Sequence, residues 1–462
     1  MQLPTSSQNL AQALRSRRER LAKLIDFPVI LWSGGYHSRN FPANTYPFRA
    51  SSHFLYFAGL PLENTVIRLE AGQLQLFKDD PPASSALWHG EMPKRDTIAA
   101  AIGADAAFPL AELASRVEGA ATILVQDPIT QTQQIQQLQR PVNPPKTAVD
   151  RDLELIKAIV ALRLCHDQAA LTELRQAAAI SVEAHKAGMK VTSQAKTEAE
   201  VRAEMEKVIL SHNTTCSYNS IVTVHGQVLH NEQYFHPLQT GELLLADVGA
   251  ETTTGWAADI TRTWPVSGQF SSTQRDIYEI VLAAHDACID RIKPGVEYQD
   301  IHLLAALKIA EGLVELGLLK GQPSDLVDQD AHALFFPHGI GHLLGLDVHD
   351  MEDLGDVAGY VDQRTRSTRF GLGYLRLNRL LQPGMLVTIE PGFYQVPAIL
   401  NDPEKREKYH PVVNWEKLEQ FADVRGIRIE DDVLVTETGT EVLTAALPTQ
   451  ASQVEALVQG QG

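Results

Sequence analysis

Asp247, Asp259, His342, Glu390 and Glu430 are four carboxylates and one imidazole, each standing beside a strand or turn signal. Such a set suits divalent cations such as Mn²⁺ or Zn²⁺, and five ligands exceed what one catalytic zinc takes. Two metals sharing carboxylates would use all five and hold a hydroxide for hydrolysis.

Each ligand has a local context. Leu243 to Ala246 reads as an apolar strand ending on Asp247, and the chain returns through Trp256-Ala257-Ala258 to Asp259. A turn centred on Thr253 sets Asp247 opposite Asp259 with both side chains on one face. Like charges so close repel and call for a cation between them. On this segment alone, two solvated aspartates at strand ends fit equally well. His338-Gly339-Ile340-Gly341-His342 is not the helical zinc pair of metalloproteases, because the intervening glutamate is missing and two glycines oppose a helix. A glycine-rich turn instead lets backbone approach a ligand. Among His338, His342 and His349, one ring would bind metal while the other two face substrate. Glu390 stands where a strand breaks at Pro391-Gly392. Arg428 and Glu430 share a strand face by period-two alternation, so Arg428 could orient a metal-bridging carboxylate from behind. A strand-edge salt bridge is the plainer reading of that segment.

Those residues need a scaffold, and 462 residues exceed one ordinary core, so two domains are expected. Hydrophobic content of 44% and charged content of 21% describe a soluble globular chain. A formal net charge of −17 argues against nucleic acid and anionic membranes as partners. Cys165, Cys216 and Cys288 lack metal-ligand or redox spacing, which suggests reduced thiols and a cytoplasmic protein. No apolar leader follows the arginines at 15–20, and no stretch is long and apolar enough to cross a bilayer.

Up to about residue 140, strands are predicted at 27–33, 53–60 and 121–126, a hairpin over 66–77 turning at Ala71-Gly72, and helices at 98–102 and 110–117. The run Pro141-Val142-Asn143-Pro144-Pro145 marks a boundary. The expected domains are therefore 1–145, a small α/β unit, and 146–448, an α+β catalytic unit, with a tail over 449–462. Beyond the boundary, Asp150 or Asp152 is expected to cap a helix, and Thr197-Glu198-Ala199-Glu200 has the form of a capping box. Another helix starts at Ser272. Lys186-Ala187-Gly188-Met189 and Lys293-Pro294-Gly295-Val296 are each expected to separate two helices, which hints at an internal duplication.

Asp247-Val248-Gly249-Ala250, Asp259-Ile260-Thr261-Arg262-Thr263, His338 to His342, Glu390-Pro391-Gly392 and Gly426 to Asp432 together resemble the pita-bread metallopeptidases. The closer likeness is to the proline-specific branch, aminopeptidase P and prolidase, and it extends over nearly the whole chain. Pro82-Ala83-Ser84 with Trp88-His89-Gly90 is similar to prolidase in particular. The resemblance implies an α+β pita-bread (creatinase/aminopeptidase) domain of pseudo-duplicated helix and hairpin units behind a smaller α/β domain. It implies a hydrolase of the Xaa-Pro bond that uses a metal-bridging hydroxide. Its metal ligands would be Asp247, Asp259, His342, Glu390 and Glu430, with Asp259 and Glu430 bridging and Glu390 also moving the proton. His338 and His349 would line the pocket and stabilise the oxyanion, His230 would be a further active-site histidine, and Arg376 would hold the substrate carboxylate.

The metals implied are two divalent ions, manganese first, with Co, Zn or Fe as substitutes, and the assembly implied is a homodimer or homotetramer. Whether longer peptides or Xaa-Pro dipeptides are cut is left open. The other readings are a creatinase-like carbon–nitrogen hydrolase, which has no use for five metal ligands, and a non-catalytic pita-bread binding protein. The chain departs from the family in two places. The Asp247–Asp259 interval is one residue longer than usual, assigned to the Thr252–Gly255 turn where it does not rotate a strand. Trp256 stands where tyrosine is common. The segment from Gln395 to Val424 lies between two ligands with no role assigned.

Overall fold

The structure, a computed structural model, describes residues 7–361 and 363–461. The chain forms two compact units. The first runs to Ala169 and includes Thr253–Gly255 and Met351–Ala358, and the second holds the remainder. The division therefore falls after Ala169, and the turn at Pro145–Thr147 counts with the first unit.

In the first unit, β1 (Val29–Trp32), β2 (Val66–Glu70), β3 (Gln73–Phe77) and β4 (Ala106–Phe108) form one sheet in that order. The β2–β3 hairpin turns where predicted: Glu70 pairs with Gln73, and Ala71 and Gly72 take φ of 49° and 80°. Residues 53–60 are not a strand but the helix α1 (Ser52–Ala58), closed by Gly59 at φ 68°. Every residue of α1 is buried, so no polar face betrayed its period. Residues 121–126 form no strand either, and contribute one bridge from Ala121 to Val29. The glutamine-rich stretch is a helix, α2 (Pro128–Leu138), capped by Asp127. Neither Asp150 nor Asp152 caps α3 (Asp150–Arg163). Asp152 instead takes both prongs of Arg140 at 2.7 Å and the Thr122 N–H at 2.9 Å.

The second unit repeats a helix pair followed by strands. α4 (Gln168–Val191) and α5 (Glu198–Ser211) precede β5 (Ile221–Thr223), β6 (Leu243–Asp247) and β7 (Thr261–Pro265), which pair antiparallel in the order β7-β6-β5. α6 (Ser272–Arg291) and α7 (Tyr298–Glu315) precede β8 (Leu386–Ile389), β9 (Gly392–Tyr394), β10 (Gly426–Arg428), β11 (Asp431–Val435) and β12 (Thr440–Val442). β8, β11 and β12 form one sheet, while β9 pairs with β10. Lys186 to Met189 does not separate helices; it lies inside α4, and the break falls at 192–197. Gly188 serves a close approach instead, since a Cβ there would meet the Met205 Cγ at 2.7 Å. α6 has a complete capping box between Ser271 and Gln274. At α5 the Thr197 side chain caps nothing. Gln395–Val424 carries three short helices, at Pro397–Leu400, Pro403–Tyr409 and Trp415–Glu419. Among the described residues no helix is long and apolar enough to cross a membrane.

Candidate metal centre

β6 is buried through Ala246 and ends on Asp247, while β7 begins just after Asp259. Asp247 pairs with Thr261, and Ala258 N donates to Ala250 O, so Asp259 lies opposite Gly249. The register is two residues from the one expected, because the turn closes between Thr252 N and Trp256 O and so centres on Thr254. A slip of two preserves the face, and both aspartates still point the same way. Gly249 is obligatory here: a Cβ would stand 1.8 Å from the Ala258 carbonyl oxygen.

The other ligand candidates are placed by backbone pairing. Residues 340–344 run along β8 through Thr388 N to His342 O (3.0 Å), Glu390 N to Ile340 O (2.8 Å) and Leu344 N to Leu386 O (3.1 Å). This sets His342 and Glu390 side by side, with His342 Nε2 3.6 Å from Glu390 Oε1 and 3.4 Å from Asp259 Oδ2. The Glu430 N–H donates to Thr261 O at 3.0 Å, and the Thr261 hydroxyl donates to Glu430 Oε2 at 2.7 Å. Asp259, His342 and Glu430 are buried and offer ligand atoms all within 4.8 Å of one another.

Arg428 stands behind the cluster, donating to Asp247 Oδ2 at 2.7 Å, Thr261 Oγ1 at 2.9 Å and Tyr394 Oη at 3.0 Å. Tyr218 had no sequence signal; it sits in the loop after Cys216, outside any periodic run. Its hydroxyl lies 2.5 Å from Asp247 Oδ1 and 2.6 Å from Asp259 Oδ1. One phenolic hydrogen cannot serve both oxygens, so without a nearby cation one of the two carboxyls must carry a proton for the contact to join them.

The electrostatics point the same way. Burial, and then the charge of Asp247, pushes the Asp259 carboxyl up to about 8. Burial pushes Glu390 up to about 7 against the pull of His342 and Arg428. Glu430 lies well above the carboxylate range through burial and its neighbours Asp259 and Glu390. Carboxyl groups gathered so tightly stay ionised only around a cation. His342 Nδ1 lies 3.0 Å from Leu343 O, an arrangement that turns the Nε2 lone pair toward the carboxylates. The donor set therefore fits divalent metal.

The five candidate ligands open onto one cavity of ≈ 400 Å³ that His230, His338, His349 and Arg376 also line. Leu229, Pro337, Tyr374, Val396 and Ile399 give it an apolar wall, so the start of the Gln395–Val424 segment forms part of the pocket. The His349 ring lies 4.2 Å from that of His342. His338 is held within the protein: Nδ1 lies 2.7 Å from Gly339 O and Nε2 2.9 Å from Tyr394 Oη. Burial and the Arg428 charge push His338 down to about 3, so its ring is neutral. All ten residues singled out in the sequence thus meet at one site; Tyr218, Thr261 and Tyr394 join them unannounced.

Comparisons with known proteins identify the family of the chain. Residues 172–437 match metallopeptidase family M24, and residues 14–123 match the aminopeptidase P N-terminal domain. A probable Xaa-Pro aminopeptidase of Leptosphaeria maculans is 33% identical over 423 residues, 89% of this chain and 72% of the relative. One of Pyrenophora teres f. teres is 32% identical over 86% of this chain and 84% of its own. Aminopeptidase P of Escherichia coli with the inhibitor Pro-Leu superposes with a TM-score of 0.79 at 28% identity, covering 98% of both chains. Pseudomonas aeruginosa aminopeptidase PepP does so at 0.79 and 29%, over 100% of this chain and 99% of its own. With its M24 match covering more than half its length, this chain belongs to metallopeptidase family M24 and is a metallopeptidase with an aminopeptidase P N-terminal domain.

Proposed function

We propose that this enzyme is an Xaa-Pro aminopeptidase that works with two divalent cations, manganese first among them. The observation that carries the reading is the convergence of Asp247, Asp259, His342, Glu390 and Glu430 on one side of a cavity whose other walls hold three histidines and Arg376. Relatives alike over most of their length carry the Xaa-Pro aminopeptidase name, which favours longer peptides over dipeptides as substrates. The five side chains would hold the ions. When bound, such ions activate water near neutral pH and polarise the scissile carbonyl.

The protein's own groups do the rest. Glu390 takes the proton from the attacking water and delivers it to the prolyl nitrogen as the bond breaks. Because His338 already spends both ring nitrogens on Gly339 and Tyr394, we assign the oxyanion donor to His349 and leave His338 as a neutral wall of the pocket. A preorganised donor of this kind is worth ~3 kcal/mol in the barrier. Arg376 and His230 orient the peptide beyond the proline, where a bond without an N–H leaves few handles for a general protease. The apolar wall accepts the ring and its neighbour. Arg376 also supports a second reading, a dipeptidase that clamps the prolyl carboxylate. Turnover of Ala-Pro-Ala against Gly-Pro separates them: the proposal expects the tripeptide to be cut with the higher kcat/KM, and exclusive cleavage of Gly-Pro would overturn it.

A further inference from the structure

Glu198, at the start of α5, has no solvent exposure and takes no part in the chemistry above. A buried carboxylate is costly unless its oxygens are filled, and both are. Oε1 accepts from the Thr223 hydroxyl at 2.9 Å and the Val224 N–H at 2.8 Å. Oε2 lies 3.2 Å from the His236 N–H and 2.8 Å from its Nδ1. None of these partners belongs to α5, so the side chain is not a helix cap.

Thr223 and His236 bracket the loop that carries Leu229 and His230 into the substrate cavity. Inside that loop, Thr223 Oγ1 accepts from Asn231 Nδ2 and from the His225 N–H, both at 2.9 Å. Asn231 directly follows His230, so a chain of hydrogen bonds runs from the Glu198 carboxylate to the neighbour of a substrate-facing ring. The far end is closed by backbone bonds from Glu198 N to His236 O and Ala199 N to Tyr234 O, and the His225 ring lies 4.1 Å from that of His236.

We propose that Glu198 is a positioning residue for the peptidase reaction: each carboxylate oxygen fastens one end of the 224–236 loop, and together they set where His230 stands. The proposal rests on the reading of His230 as substrate-facing. It predicts a coupling that loss of stability alone does not produce. In the full-length Mn²⁺-loaded enzyme with Ala-Pro-Ala, Glu198→Ala should lower kcat/KM at least tenfold, through whichever of kcat and KM His230→Ala moves. In a His230→Ala background the same change should cost less than twofold, while the melting temperature falls equally in both. Glu198→Gln, which keeps an oxygen for Thr223 and Val224, should recover most of the loss. Amides of residues 224–236 should exchange hydrogen faster in Glu198→Ala than in the parent.

An equal fold-loss in both backgrounds, unchanged exchange in the loop, or full activity of His230→Ala alone would each overturn the proposal. Should Glu198→Ala fail to fold, Asn231→Ala cuts the inner arm and must show the same dependence on His230. A parent enzyme inactive on Ala-Pro-Ala would instead sink the functional reading, and loop exchange would still decide whether the clamp exists.

Discussion

Arg428 spends its nitrogens on Asp247, Thr261 and Tyr394, all inside the catalytic unit. Removing it leaves the half-buried Asp247 held by the Tyr218 hydroxyl alone, so Arg428→Ala should weaken metal binding by ~10–100-fold, read by competition against a chelator. Tyr218→Phe removes the hydroxyl between Asp247 and Asp259 and should weaken metal binding less, about tenfold. His349→Ala should lower kcat by about 100-fold; a change confined to KM would make it a binding residue only. Asp259→Ala or Glu430→Ala should abolish turnover and metal retention together. The five candidate ligands were legible because each stands in a short motif beside a strand break. Tyr218 was not: a tyrosine in an aperiodic loop gains meaning only when β6 and β7 bring two aspartates to it.

Among the elements, β6 and β7 matter most, since their register sets the aspartate face. Gly249→Ala drives a methyl into the Ala258 carbonyl at 1.8 Å. It should destabilise the fold by several kcal/mol, at least ~3, as seen by chemical denaturation, and lower metal content with it. The turn between Asp247 and Asp259 centres one residue from where the sequence placed it, and only the parity of strands kept both aspartates on one face. Elsewhere pattern alone failed where burial was complete. His53 to Ala58 shows no polar side, so a helix and a strand look alike in sequence. Gly188 looked like a turn signal but is a contact between helices. The sequence Thr197-Glu198-Ala199-Glu200 suggested a cap; instead Glu200 receives the Lys196 N–H and Glu198 turns inward to Thr223 and His236.

For the whole molecule, metal and stability are linked. Without metal, Asp259 and Glu390 keep protons to about 8 and about 7, far above the ~4 of an unfolded chain. The folded state then binds more protons than the unfolded one across that window, so stability is fullest below pH ~4 from these groups and is lost as pH rises toward 8. Bound cations reverse the slope, because the ligands must be ionised to hold them. The chelated enzyme should therefore melt lower at pH 8 than at pH 6, and added Mn²⁺ should raise the melting temperature more at pH 8. Saturating metal at a thousandfold over Kd adds ~4 kcal/mol.

The most direct test is a titration of metal-stripped enzyme with Mn²⁺, following bound metal and Ala-Pro-Ala hydrolysis in the same samples. Activity should be absent at the start and level off at two equivalents per chain. Full hydrolysis in the stripped protein, or a plateau with no more than one ion bound, would contradict a paired-cation centre built by these five side chains.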